Sequence, residues 1–320
     1  MARTVKIHQV DAFTTTRFTG NPAGVVLDAD ALTDAEMHAI ARELNNADTA
    51  FVLRPDGADH DLRVRFFTPR TEASFVGHAT VATHFVLSSL PGAPQRLRQK
   101  TRAGIADIHI QRHVQGEGRN EGMSDDLGRR IAIRQAAPPL GREINEREQL
   151  AVLDSLALDA EQLDPRCPLQ IVGAGSTRLL IGVRSAEHLK QLKPDLARLT
   201  TLSAQMGAAG YFVFTLSPGQ PPTQQPSQSE WQTEARMFCP ALGIAEDPVS
   251  GNAHGMLGVY LGQRGLLPVV DGRLRFAGAQ GHHLQRPGRV DIELEFENGA
   301  PTAVWIIGQA VSVFEAELVL

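Results

Sequence analysis

Short apolar runs, alternating or continuous and broken by Gly, Pro and polar turns, recur along this chain and predict many strands and few helices. Val5–Val10 and Gly24–Leu27 read as strands, separated by the turn Phe18-Thr19-Gly20-Asn21-Pro22. Thr33 to Asn45 has helical spacing, and Thr33 with Glu36 three residues on forms a capping box that satisfies two orphan N–H groups. Further strands are predicted at Thr49–Leu53, Leu62–Phe67 (with Leu62, Val64 and Phe66 alternating), Gly104–Ile110, Arg273–Phe276, Val290–Phe296 and Val304–Ile307. Gly77 to Leu90 and Gly251 to Leu261 are small or apolar nearly all round, the pattern of a buried helix. Arg119 to Asp126 reads as a polar loop, and Ser217 to Gln232, rich in Pro, Gln and Ser, as an exposed insertion.

The pattern occurs twice. Arg65-Phe66-Phe67-Thr68-Pro69 is answered by Arg236-Met237-Phe238-Cys239-Pro240, both R-x-F-x-P. Glu72 and Glu246 then precede Gly77 and Gly251 by the same interval, and both glycines open G-[HN]-A. Leu87 and Leu261 follow at matched positions, and upstream Ala50-Phe51-Val52-Leu53 is matched to Tyr211-Phe212-Val213-Phe214. Repeated order implies two similar lobes of strands around one helix, an α+β architecture. The first is expected over residues 1–126, completed by a strand at 305–320, and the second over 127–304.

A chain of 320 residues, 42% hydrophobic and 21% charged, is long enough for two cores. Its net charge of −5 and lack of long basic runs argue against a nucleic-acid partner. No apolar stretch is long enough for a membrane span, and the N-terminus lacks the apolar core of a secretory signal. Two cysteines, Cys167 and Cys239, give no disulfide framework and suit a reducing compartment, so the expected location is the cytoplasm.

Candidate chemistry lies where the helices begin and where the halves differ. A helix N-terminus presents unpaired N–H groups and partial positive charge, and Gly77 and Gly251 allow an anion to approach closely. Tight packing alone would also use these glycines. Matching Phe51 to Phe212 sets Asp48 against Ala209, and matching the two glycines sets Asp247 against Ala73 and His78 against Asn252. Each half thus supplies an acid that its twin lacks. Turn-forming roles for Asp48 and Asp247, and a plain first-turn role for His78, are the alternatives.

Val10-Asp11-Ala12-Phe13, Phe18 through Val25, Gly77-His78-Ala79-Thr80 and Glu246-Asp247-Pro248-Val249-Ser250-Gly251 resemble the signature stretches of the PhzF family of phenazine-biosynthesis isomerases. The resemblance implies the fold of diaminopimelate epimerase, two pseudo-symmetric lobes that are each a strand barrel around a central helix. It implies cofactor-free, metal-free acid–base proton transfer on a small, cyclic carboxylate, as in 2,3-dihydro-3-hydroxyanthranilate isomerisation, with the site between the halves, and a homodimer. The family's catalytic Glu, His and Asp correspond to Asp48, His78 and Asp247, and its substrate-contacting positions to Gly77, Gly251 and Asn252. Asp48 is one methylene shorter than the family's Glu, and Asn252 replaces a Ser.

Other chemistries fit less well. A two-thiol racemase needs cysteines just before both helices, where Val76 and Ser250 stand. His109 and His113 on one strand would lie about 13 Å apart at 3.3 Å per residue, too far to share an ion, and adjacent His282 and His283 would diverge on a strand. Gly173-Ala174-Gly175 is only a fragment of a dinucleotide fingerprint. An inactive small-molecule-binding protein on the same scaffold is the remaining alternative.

Overall fold

The structure, a computed structural model, describes residues 3–112, 128–218 and 231–320. The polar loop read at Arg119 to Asp126 lies outside the described residues, as does His113. Contacts divide the chain into two compact units, Met1–Gln135 with Ile307–Leu320, and Ala136–Ile306.

In unit one the strands are β1 (Thr4–Ala12), β2 (Asn21–Val26), β3 (Asp48–Leu53), β4 (Leu62–Phe67), β5 (Glu72–Ala73), β6 (Arg96–Thr101), β7 (Gly104–Arg112) and β8 (Arg129–Ala136). The helices α1 (Asp34–Leu44) and α2 (Gly77–Ser88) interrupt them. The ladder runs antiparallel β1–β2, parallel β2–β3, antiparallel β3–β4, parallel β4–β6, then antiparallel through β7 to β8. The predicted capping box at Thr33 and Glu36 starts α1, whose Met37, Ile40 and Ala41 join Phe51, Leu53 and Phe67 in a core outside the sheet. Helix α2 touches β1, β2, β3 and β7 and is buried at nearly every position.

Unit two repeats this order. It contains β9 (Leu140–Glu143), α3 (Glu146–Leu156), β10 (Gln170–Val172), β11 (Arg178–Val183), α4 (Ala186–Gln191), α5 (Leu196–Met206), β12 (Tyr211–Pro218) and β13 (Trp231–Cys239). There follow β14 (Ile244–Asp247), α6 (Gly251–Gln263), β15 (Arg273–Gln280), β16 (Gly288–Glu297) and β17 (Ala300–Gly308). Pairing is antiparallel β10–β11, parallel β11–β12, antiparallel β12–β13, parallel β13–β15 and antiparallel β15–β16. Strand β18 (Ala310–Val319) pairs with β1 as β9 pairs with β10. The fold is therefore α+β, with two pseudo-symmetric lobes that each wrap strands around a central helix. Helix α6 lies so close to its strands that a Cβ on Gly258 would come within 2.5 Å of Leu294, and one on Gly262 within 2.6 Å of Phe296. Among the described residues, no helix is long and apolar enough to cross a membrane.

The R-x-F-x-P echo has a structural cause. Arg65 grips Glu72 through Nε and Nη2 at 2.8 and 2.9 Å, and Arg236 grips Glu246 the same way at 2.9 Å for both contacts. Each guanidinium also lies 5.0 Å from the ring two residues on, Phe67 or Phe238. The planar fork thus pins the short return strands β5 and β14, which bring the chain to the start of α2 and α6.

Register corrects one expectation. Phe51 lies opposite Arg65, whereas Val213, not Phe212, lies opposite Arg236. With the two arginines matched, the partner of Asp48 is Gly210 rather than Ala209. The match of Asp247 to Ala73 stands, since Met237 faces Asp247 as Phe66 faces Ala73. The segment from Ser217 to Gln232 is also not all insertion, for β12 runs to Pro218 and β13 begins at Trp231.

Candidate active site

Asp48 is the first residue of β3, and His78 is the second of α2. Both are buried, at 6% and 7% exposure, with Asp48 Oδ2 3.7 Å from His78 Nε2. That separation is too long for a hydrogen bond, and Nε2 has no hydrogen-bond partner among the described residues. Burial lowers the imidazole to about 3, so His78 is neutral at ordinary pH and the two groups are not an ion pair.

Neither central helix is capped by the side chain before it. Val76, preceding α2, has no polar side chain, and Ser250, preceding α6, donates its hydroxyl to Asp247 Oδ2 instead. The first ladder bonds are Thr80 N–H to Val76 O at 3.0 Å and His254 N–H to Ser250 O at 3.1 Å. The N–H groups of Gly77, His78 and Ala79, and of Gly251, Asn252 and Ala253, therefore have no acceptor within their helix. No acidic residue lies within either first turn, so the positive end of each dipole is open to a negative charge from outside the helix.

In unit two Asp247 ends β14 as a strand residue rather than a turn residue. Gln280, at the end of β15 and 1% exposed, ties the segment together. Its Nε2 donates to Asp247 O at 2.6 Å and Ser250 Oγ at 3.2 Å, while its Oε1 accepts Ser250 N–H at 3.0 Å. Gly281 follows at φ 90°, where an added Cβ would lie 2.8 Å from Pro248 O, so only glycine lets this brace close. Asn252 Oδ1 is buried without a hydrogen-bond partner among the described residues.

The sequence-selected residues thus gather as Asp48, His78 and Gly77 in unit one, and Asp247, Gly251 and Asn252 in unit two. Gln280 and the use of Ser250 on Asp247 were not foreseen, because a lone Gln ending a strand carries no sequence signal. His254 replaces Thr80 of the other half. Thr80 Oγ1 donates to Val76 O at 2.8 Å, and His254 Nδ1 is 3.0 Å from Ser250 O, its ring over Gly278, where a Cβ would come within 1.9 Å.

Cys167 and Cys239 are buried thiols, each pushed up to about 12 chiefly by burial. Among the described residues no group of three or more His, Cys, Asp or Glu is placed to hold a metal ion. His282 and His283 lie in a single 3-10 turn rather than on a strand, and Gly173-Ala174-Gly175 joins two antiparallel strands rather than a strand and a helix.

This architecture has relatives. The uncharacterized isomerase YddE of Escherichia coli O157:H7 is 36% identical over 313 residues, covering 98% of this chain and 97% of its own. A crystal structure of the Bacillus anthracis phenazine biosynthesis protein of the PhzF family matches at TM-score 0.81 and 29% identity, over 99% of this chain and 100% of that one. A hydroxyproline epimerase from Agrobacterium vitis, solved with bound trans-4-hydroxy-L-proline, shares the fold at TM-score 0.57 and 12% identity, over 100% of this chain and 94% of that one. The family model described as phenazine biosynthesis-like protein spans residues 10–316, and with that match and the doubled strand-and-helix order this chain belongs to the PhzC-PhzF family of phenazine biosynthesis-like isomerases.

Proposed function

We propose that the protein isomerises a small cyclic carboxylate by acid–base proton transfer, without a cofactor. The observation that carries this reading is a buried carboxyl group, Asp48, 3.7 Å from a buried neutral imidazole at the uncapped start of α2. Asp48 removes a proton from one substrate carbon as carboxylate and returns it to another as carboxylic acid, so a double bond shifts and nothing is consumed. Negative charge developing on the substrate is met by the N–H groups at the start of α2, from Gly77 on, which have no acceptor within their helix. His78, neutral throughout, orients the Asp48 carboxyl group or the substrate through Nε2. Asp247, fixed by Ser250 and Gln280, is the candidate acid of unit two, and Asn252 its candidate substrate contact.

The test is to incubate the protein in deuterated water with a panel of cyclic carboxylates, including 2,3-dihydro-3-hydroxyanthranilate. NMR should find an isomeric product with deuterium at the newly protonated carbon. Saturable binding across the panel with neither isomer nor label would instead make this an inactive binding protein.

A further inference from the structure

Unit two carries a guanidinium at a position where unit one has only a methyl group. In unit one Ala23 of β2 lies opposite Asp48. In unit two Leu179 lies opposite Tyr211, so one residue earlier Arg178 faces Gly210. Gly210 is the register partner of Asp48, which makes Arg178 the counterpart of Ala23. The chain enters both strands alike, with Gly20 and Gly175 each three residues earlier and each at positive φ, 63° and 75°. Residues two apart on a strand share a face, so Gly210 and the facing Arg178 lie on the side of Phe212, whose ring meets His254 of α6.

The guanidinium is held but not neutralised. Its Nη1 donates to Ser176 Oγ at 3.0 Å and to Thr177 O at 2.8 Å. Thr177 is fixed in turn, its Oγ1 donating to Gly207 O at 2.6 Å and its carbonyl accepting Ala209 N–H at 3.1 Å. Among the described residues no carboxylate pairs with Arg178, and its Nε and Nη2 have no acceptor. In this same protein that edge is the one by which Arg65 and Arg236 grip carboxylates. The buried Cys239 thiol feels both the Arg178 cation and the Asp247 carboxylate, so the two charges share one neighbourhood of unit two.

We infer that Arg178 is a carboxylate-binding residue of unit two, its Nε–Nη2 edge gripping a ligand carboxylate in the two-pronged manner of the structural pairs at Glu72 and Glu246. The identity of the reaction rests on the acid–base reading above; the binding role does not. Nη1 fixes the orientation of the plane in advance, which suits a planar carboxylate and disfavours neutral analogues.

The experiment follows the Arg178 Nε–H resonance, assigned by its loss in Arg178→Lys, during titration with sodium benzoate, 3-hydroxyanthranilate and neutral benzamide. Both carboxylates should shift it saturably and benzamide should not. Arg178→Gln should weaken carboxylate binding about tenfold to a hundredfold, as expected for a lost charged hydrogen-bond pair, with Arg178→Lys between it and wild type. On a turned-over substrate the Gln variant should raise KM more than it lowers kcat. An Arg178 signal that moves no further than that of exposed Arg147, or a Gln variant that binds carboxylates as tightly as wild type, overturns the assignment. If Arg178 behaves as expected while Asp48→Asn still exchanges carbon-bound protons, the acid–base reading fails and the anchor stands.

Discussion

Lowering the pH from 7.5 to 5.5 should destabilise the protein by about 4 kcal/mol through three buried histidines. His78, His84 and His254 are buried, and burial lowers them to about 3, about 4 and about 4 from an ordinary 6.5. His84 Nε2 sits 2.7 Å from Gln99 Oε1, and Gln99 Nε2 donates to Thr80 Oγ1 at 3.3 Å; the Gln99 contact favours the protonated ring, but burial outweighs it. Because the folded values lie below the unfolded one, the unfolded chain binds more protons. The stabilisation is complete above the unfolded pKa and is lost as pH falls below 6.5, down to the folded values. A ring that stays neutral when folded but protonates when unfolded loses about 1.4 kcal/mol over this interval, and three lose about 4, a large share of a typical 5–15 kcal/mol. His8, His109 and His283 are also lowered by burial and add in the same direction. The assay is urea unfolding at both pH values for wild type and His84→Gln. The variant's pH difference should be smaller by about 1.4 kcal/mol. A wild-type difference below that figure, or an unchanged difference in the variant, would refute the reasoning.

Three further outcomes are expected. His78→Ala should lower turnover by about a hundredfold, the cost of a misplaced reacting group, with a cooperative unfolding transition retained; unchanged turnover would remove His78 from the mechanism. Glu246→Gln should cost about 3–5 kcal/mol by urea unfolding, and Glu72→Gln less, because the Arg236–Glu246 side chains are 9% and 12% exposed whereas Arg65 is 25% exposed. Equal losses would show that burial does not set the difference. Asp48→Glu, which installs the acid that the family resemblance implies, should lower the rate about a hundredfold, since it displaces the carboxyl group by about 1 Å or more; a faster variant would show that Asp is only a tolerated substitute.

Most elements were legible because their patterns are local. Alternation marked β4, uniform smallness marked α2 and α6, and the capping box at Thr33 and Glu36 marked α1. The same box recurs at Asn145 and Glu148, a start signal for α3 that went unread beside a mixed-polarity helix. Strands β5 and β14 have two and four residues, too few to show a period, so their place came only from the Arg–Glu forks. The one-residue slip at Phe51 has a clear cause. Tyr211 to Phe214 is buried on both faces, and a strand without polar positions gives periodicity nothing to register against. Asp48, His78 and Asp247 were selected as candidates because they are asymmetries between the halves. Arg178 escaped because its counterpart Ala23 is recognisable only once the strands are paired.

The most direct test is the rate of deuterium incorporation at the substrate carbon, by mass spectrometry, for wild type and Asp48→Asn in deuterated water. Asparagine keeps nearly the shape of Asp48 but cannot take up and return a proton. With Asp48 as the exchanging group, the variant should bind a carboxylate substrate yet incorporate label at least a thousandfold more slowly, on the order of what general acid–base groups contribute. Incorporation within about tenfold of wild type, a change of only about 1.4 kcal/mol in barrier, would place the proton transfer elsewhere.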